Sequence, residues 1–134
     1  MQVQCHSRPV ILCIDDHELG LRIRKKVLEK AGYVALIAST ADKALQLFRA
    51  SHVDLVLTEH VAPAMVDAPT IAATMKMLKP EVPVAILSAD VQPSPEDRRF
   101  ADAFIIKLVA VDDLLLIIKK LLMKRVARAV QLAA

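Results

Sequence analysis

The sequence contains few aromatic residues, few cysteines and no long apolar segment. Aromatic side chains make up only 3% of the chain, which leaves little surface for stacking the bases of a single-stranded nucleic acid. The apolar residues fall in short runs such as 114–118, far below the roughly 20 residues that a membrane-spanning helix requires. Cys13 lies in an apolar run and Cys5 in a polar segment, which indicates reduced thiols. The first residues also lack the layout of a signal peptide, so we expect a cytoplasmic protein.

The chain is mildly basic. Its formal net charge is +3 over 134 residues, and the positive side chains concentrate at 22–26 and between 119 and 128. A basic face of this kind can attract nucleic acid. We interpret both runs as solvated helix faces, because no base-reading motif or aromatic platform accompanies them. Binding to nucleic acid or to a membrane is therefore not expected.

Apolar runs and segments of helical periodicity alternate five times along the chain. The segment 9–16 is apolar until it closes on two acids, as in a strand buried on both faces. In 19–31 apolar residues recur at helical spacing, and Gly32 ends the helix. This alternation predicts an α/β fold, a five-stranded parallel sheet with helices on both faces, in a single domain over residues 1–134. The predicted strands are 9–16, 33–38, 55–58, 82–89 and 103–107, and the predicted helices are 19–31, 40–50, 68–77, 94–100 and one from 111 onward.

Charged and polar residues stand at the carboxyl ends of four predicted strands. Asp15 and Asp16 end the first strand, Glu59 the third, Ser88 the fourth and Lys107 the fifth. In a parallel sheet these ends meet at one edge, so three carboxylates, one hydroxyl and one ammonium should converge there. Close carboxylates repel unless a lysine or a divalent cation offsets them, and Mg²⁺ suits such an oxygen-rich site. The hydroxyl and the ammonium would hold phosphoryl oxygens.

The order of these segments resembles the receiver domain of two-component response regulators. The resemblance runs from VILCIDDHELGLR through VDLVLTEHVAPAM and VPVAILSAD to ADAFIIK, and so covers nearly the whole chain. It implies the (βα)5 CheY-like or flavodoxin-like fold, a role in phosphorelay signal transduction, and no enzymatic activity. It also implies protein partners, either a sensor kinase or a downstream effector.

The resemblance assigns roles to the residues at the strand ends. Asp15 and Asp16 match the acidic pair that positions Mg²⁺, and Lys107 matches the lysine that contacts the phosphoryl group. Ser88 matches the Ser or Thr whose hydroxyl moves toward that group on activation. Phe104 falls at the position of the switch aromatic, which is commonly tyrosine. Phe104 lacks the tyrosine hydroxyl, so any switching at this position would work by packing alone, and a plain core role stays open.

Residues around the expected phosphorylation chemistry depart from the family pattern. Glu59 stands where the family has its phosphoacceptor aspartate, and Leu108 stands where a proline usually follows the lysine. By the same resemblance, Val61 would offer the backbone carbonyl that completes the acidic metal pocket. Glutamate places its carboxylate about 1.5 Å further out than aspartate, which disfavours in-line phosphorylation. We therefore interpret the domain as a pseudo-receiver in which Glu59 imitates phospho-aspartate by bonding Lys107 or Ser88.

Other interpretations of these residues stay open. The domain could be an inert receiver-like scaffold or dimerisation module, or a receiver that is still phosphorylated at an unusual acceptor. Lys107 could take the place of Mg²⁺ as the counter-charge. His17 and His60 flank the acids and permit a transition-metal site, although neither stands at a diagnostic ligand spacing. We expect both histidines to be ordinary residues at the edge of the site.

Two enzyme or cofactor classes with similar sheets fit the residues less well. A phosphatase-like hydrolase needs an aspartate nucleophile with a second acid two residues further on, whereas Asp15 and Asp16 are adjacent. A flavin-binding module needs a loop rich in Ser, Thr and Gly after the first strand. The sequence there is DDHELG, which would repel a phosphate.

The last predicted helix has an apolar face on each side. Leu116 and Met123 lie beside Lys119 and Lys120, away from the sheet. In the family this helix is a habitual partner surface, so we predict a contact face here, which is also where a homodimer would form. We expect no effector domain within these 134 residues. The opposite, sheet-facing stripe consists of Leu114, Leu115, Ile118, Leu121 and Leu122.

Overall fold

The computed structural model describes residues 8–60, 68–89 and 92–133. Within these ranges five strands alternate with five helices, in the order predicted from the sequence. The strands are β1 (Val10–Ile14), β2 (Val34–Ala38), β3 (Leu55–Glu59), β4 (Val84–Ser88) and β5 (Ala103–Ile106), and the helices are α1 (Glu18–Lys30), α2 (Ala41–Ala50), α3 (Ala68–Leu78), α4 (Pro95–Phe100) and α5 (Val111–Ala133).

The five strands run parallel in one sheet with the order β2-β1-β3-β4-β5. Successive side chains of a strand point to opposite faces, and helices cover both faces. On one face Ile11 packs in a cluster with Leu28 of α1 and Ile118 of α5. On the other face Leu12 packs in a cluster with Phe48 of α2. The predicted parallel sheet with helices on both faces is confirmed.

Helix α1 buries only some of the apolar residues that recur at helical spacing in 19–31. Leu19 and Ile23 are 62% and 56% exposed, whereas Leu21 and Leu28 are buried. Leu21 and Leu28 are seven residues apart and therefore share one side of the helix. The helix ends as predicted at Gly32, whose φ of +100° is readily adopted only by glycine.

Helix α5 shows the predicted division into two faces. Ile118 is buried against the sheet, whereas Leu116 and Met123 are exposed. Lys119 and Lys120 are also exposed and lie beside them in the helix. No helix in the described part of the chain is both long and apolar enough to cross a membrane.

Strand β4 holds the loops that follow its two neighbours. The backbone N–H of His60 donates to Leu87 O at 2.8 Å, and that of Lys107 donates to Ser88 O at 2.7 Å. The residues that leave β3 and β5 are therefore fixed to the carboxyl end of β4 by main-chain bonds. These main-chain bonds hold positions 60 and 107 at the sheet edge whichever side chains they carry.

Candidate functional site

The carboxylate of Glu59 is in contact with the ammonium of Lys107. Glu59 ends β3, and Lys107 directly follows β5. Strand β4 lies between them, so the lysine side chain reaches across its end to form an ion pair through Nζ and Oε2. The Glu59 side chain is 10% exposed. The structure thus brings together the two residues that the sequence suggested as partners.

Asp15 lies beside this pair and is buried. Its Oδ1 accepts a hydrogen bond from the backbone N–H of His17 at 2.9 Å. Burial raises the pKa of Glu59 above its ordinary value; Lys107 opposes this effect and Asp15 adds to it. A nearby acidic group disfavours the charged form of a carboxyl group, as does burial.

Arg24 supplies a second cation that the sequence analysis missed. Its Nη1 lies 3.7 Å from Asp15 Oδ2, and its side chain is only 15% exposed. The interpretation of the basic run 22–26 as a solvated face is wrong for Arg24. Residues three and four apart are neighbours on a helix, so Arg24 lies between the buried Leu21 and Leu28. That spacing was the available signal.

The acidic residues have the right chemistry for Mg²⁺ but are already opposed by cations. Asp15, Asp16 and Glu59 offer the oxygen ligands that Mg²⁺ prefers. Arg24 lies against Asp15, and Lys107 against Glu59. Among the described side chains, no three of His, Cys, Asp or Glu are grouped so as to hold a metal ion. The arrangement does not fit a divalent cation unless Lys107 leaves Glu59.

The remaining candidate ligands are not grouped with these acids. Val61, whose carbonyl we predicted as a metal ligand, lies outside the described residues. His17 caps α1, since its Nδ1 accepts a hydrogen bond from Gly20 N at 3.1 Å. His60 is hydrogen-bonded to Asp97 of α4. Both imidazoles are thus engaged in bonds that shape the fold.

Ser88 and Phe104 both contact His60. Ser88 is buried, and its Oγ lies 3.2 Å from His60 Nδ1. The Phe104 ring packs edge-on against the imidazole, with centroids 5.4 Å apart. Asp97, the other partner of His60, is not among the residues predicted from the sequence. The Ser94–Asp97 spacing is typical of a helix start, but nothing in the sequence marks Asp97 as a partner of His60.

Comparison with known proteins identifies the family of this chain. Residues 11–119 match the family model of the response regulator receiver domain. The chain belongs to this family. Receiver domains are signalling modules of two-component systems that interact with sensor kinases and effectors.

Three similar proteins illustrate the relationship. The sensor kinase/phosphatase LuxN of Vibrio harveyi is 31% identical over 87 residues, which are 63% of this chain and 10% of LuxN. A CheY-like receiver domain protein from Methanospirillum hungatei is 29% identical, with a TM-score of 0.81 over 91% of this chain and 99% of that one. TrrA of Thermotoga maritima, solved in complex with Mg²⁺-BeF, is 24% identical, with a TM-score of 0.77 over 84% and 98% of the chains, and shows the fold alone. This chain thus matches only about a tenth of the length of LuxN.

Proposed function

We propose that this receiver domain is a pseudo-receiver that signals through protein contacts without phosphorylation of Glu59. The contact between Glu59 and Lys107 carries the proposal. In the family, the matching lysine contacts the phosphoryl group. Here a carboxylate of the protein already occupies that ammonium, so the edge of the sheet holds a permanent negative partner for Lys107.

The geometry of Glu59 also argues against efficient phosphoryl transfer. Its carboxylate extends about 1.5 Å beyond that of an aspartate, and a misplacement near 1 Å costs about a hundredfold in a step that needs in-line attack. Its free approach is further restricted, because Lys107 forms an ion pair with the same carboxyl group. An attacking oxygen of Glu59 would have to leave Lys107 first.

The charges at the sheet edge support a resting state that does not depend on Mg²⁺. The carboxylates of Asp15 and Glu59 each face a cation, so Lys107 takes the place of the metal as the counter-charge at Glu59. If Lys107 moved away, Asp15, Asp16 and Glu59 would be the residues to hold Mg²⁺. When bound, the ion would supply positive charge toward phosphoryl oxygens.

The output surface in this proposal is the exposed face of α5. Leu116 and Met123 present apolar area to solvent between Lys119 and Lys120. Apolar centres rimmed by charges are typical of protein interfaces. A sensor kinase, a downstream effector or a second copy of the chain would bind here. The domain 1–134 would act in the cytoplasm by binding and not by catalysis.

Intact-mass analysis after incubation with acetyl phosphate and Mg²⁺ tests the proposal. The wild type is compared with Glu59→Asp, and Glu59→Gln serves as the control for modification elsewhere. We expect one added phosphoryl group on Glu59→Asp only. A phosphoryl group on the wild type that is missing from Glu59→Gln would overturn the proposal and establish Glu59 as an unusual acceptor. If no variant is modified, the inert scaffold becomes the better interpretation.

A further inference from the structure

Three side chains from three separate segments form a hydrogen-bonded chain next to the Glu59–Lys107 pair. His60, which follows β3, lies at its centre. Nδ1 of its ring is 3.2 Å from Ser88 Oγ at the end of β4, and Nε2 is 2.9 Å from Asp97 Oδ2 in α4. The Phe104 ring packs edge-on against the same imidazole. A single residue thus connects the sheet edge to α4.

The chemistry of Asp97 determines which way these bonds run. The Asp97 side chain is fully buried, and its Oδ2 also accepts from the backbone N–H of Ser94 at 2.8 Å. Its Oδ1 is buried and has no hydrogen-bond partner among the described residues, so Oδ2 must accept the donors that a buried carboxylate requires. An ionised carboxylate can only accept. His60 must therefore donate from Nε2. In the neutral ring Nδ1 is then an acceptor, so Ser88 donates its hydroxyl hydrogen to it.

We propose that His60 is a positioning residue that fixes Ser88 and α4 relative to each other. A serine hydroxyl has one hydrogen to donate. Because that hydrogen is given to His60, Ser88 cannot at the same time donate to the carboxylate of Glu59. The hydroxyl is held toward α4, and only a movement of His60 would release it to the sheet edge.

The same bond fixes the beginning of α4. Asp97 and Ser94 form a reciprocal capping box, since Asp97 N also donates to Ser94 Oγ at 3.1 Å. One carboxylate therefore closes the first turn of the helix and accepts from His60. A change in the position of the His60 ring is transmitted directly to the start of α4. This coupling does not depend on whether Glu59 accepts a phosphoryl group.

Two substitutions of His60 separate its bond to Asp97 from its bond to Ser88. The amide nitrogen of glutamine can occupy the place of histidine Nε2, and the amide of asparagine reaches only as far as Nδ1. We expect His60→Gln to keep α4 amide hydrogen exchange within about twofold of the wild type. His60→Asn should accelerate it about fivefold, as expected for the loss of one hydrogen bond. His52→Gln is the matched control, because His52 is exposed and lies just before the start of β3. Equal exchange in both His60 variants would overturn the proposal.

A mutant cycle excludes a role in packing alone. Ser88→Ala and Asp97→Asn are combined in the wild type and in His60→Leu, with α4 hydrogen exchange as the readout. Ser88 and Asp97 share His60 as a partner, so their effects should depart from additivity by about threefold or more, and this departure should vanish in His60→Leu. The proposal would be overturned if the two effects were additive in the wild type. It would also be overturned if the departure from additivity survived in His60→Leu. Nitrogen-15 NMR of the His60 ring should show the hydrogen on Nε2, and the opposite tautomer would also overturn it.

Discussion

Arg24 Nη1 lies 3.7 Å from Asp15 Oδ2, and both side chains are largely shielded from solvent. Two unit charges about 4 Å apart interact by about 4 kcal/mol at an effective dielectric constant of 20. Arg24→Leu removes this positive charge from beside Asp15, one of the carboxylates that would hold Mg²⁺. We therefore predict that Arg24→Leu binds Mg²⁺ at least about tenfold more tightly than the wild type. Calorimetric titration measures the affinity. Arg22→Leu, at an exposed position of the same helix, is the control, and equal affinities for all three proteins would contradict the prediction.

The raised pKa of Glu59 predicts a pH dependence of stability. Burial is the main cause of the increase from the ordinary value of 4.5. The folded state then binds more protons than the unfolded state, so the free energy of unfolding falls as the pH rises from about 4.5 through the raised pKa. Glu59→Gln should remove this decrease. Urea unfolding across the range measures it, with Glu96→Gln as an exposed control, and an unchanged slope in Glu59→Gln would refute the assignment.

The orientation of α1 can be tested with two leucines. Leu21 is buried and Leu19 is 62% exposed. We predict that Leu21→Ala lowers the free energy of unfolding by about 2–5 kcal/mol, because it opens a cavity against the sheet. Leu19→Ala should change it by about 0.5 kcal/mol or less. Chemical denaturation of both variants provides the measurement, and equal losses would mean that the helix faces are assigned incorrectly.

Cys13 should be unreactive in the folded protein. Burial raises the pKa of its thiol to about 12, so the reactive thiolate is scarce and reagents cannot reach it. We predict that iodoacetamide at pH 8 leaves Cys13 unmodified until urea unfolds the chain. Peptide mass mapping distinguishes Cys13 from Cys5. Labelling of Cys13 under native conditions at the rate of the unfolded chain would contradict the burial.

The exposed face of α5 predicts how the chain would self-associate. If a homodimer forms through this face, Leu116→Glu combined with Met123→Glu should raise its Kd at least about tenfold, because apolar contacts at an interface centre are replaced by like charges. Sedimentation velocity over a concentration series measures the change. Met77→Glu, at an exposed methionine of α3, is the control. A dimer unaffected by the double substitution would exclude this face.

The sequence predicted the fold well because the signals for it are local. The apolar run of β1 and the helix end at Gly32 are visible in short stretches of sequence, and the parallel sheet follows from the alternation of strands and helices. The convergence of Glu59 and Lys107 could also be foreseen, since parallel strands end at one edge. The orientation of α1 could not be foreseen from apolar spacing alone, because Leu19 and Leu21 are equally apolar and only packing distinguishes them.

The site was predicted less completely because its missing parts are long-range. His60 and Asp97 are 37 residues apart in the sequence, and no periodicity links a loop residue to the first turn of a later helix. Arg24 could not be distinguished for a different reason. It belongs to a run of cations, and the whole run has the pattern of a solvated helix face. In both cases the side chain's partner, and not its own type, determines its role.

The main-chain bonds from His60 to Leu87 and from Lys107 to Ser88 have a further consequence. They belong to the peptide backbone, so any residue except proline at these positions can form them. Side chains at the sheet edge can therefore be exchanged one at a time while the loops keep their course. A lineage of such domains could lose, alter or regain its chemistry through single substitutions, with the fold tolerating each intermediate.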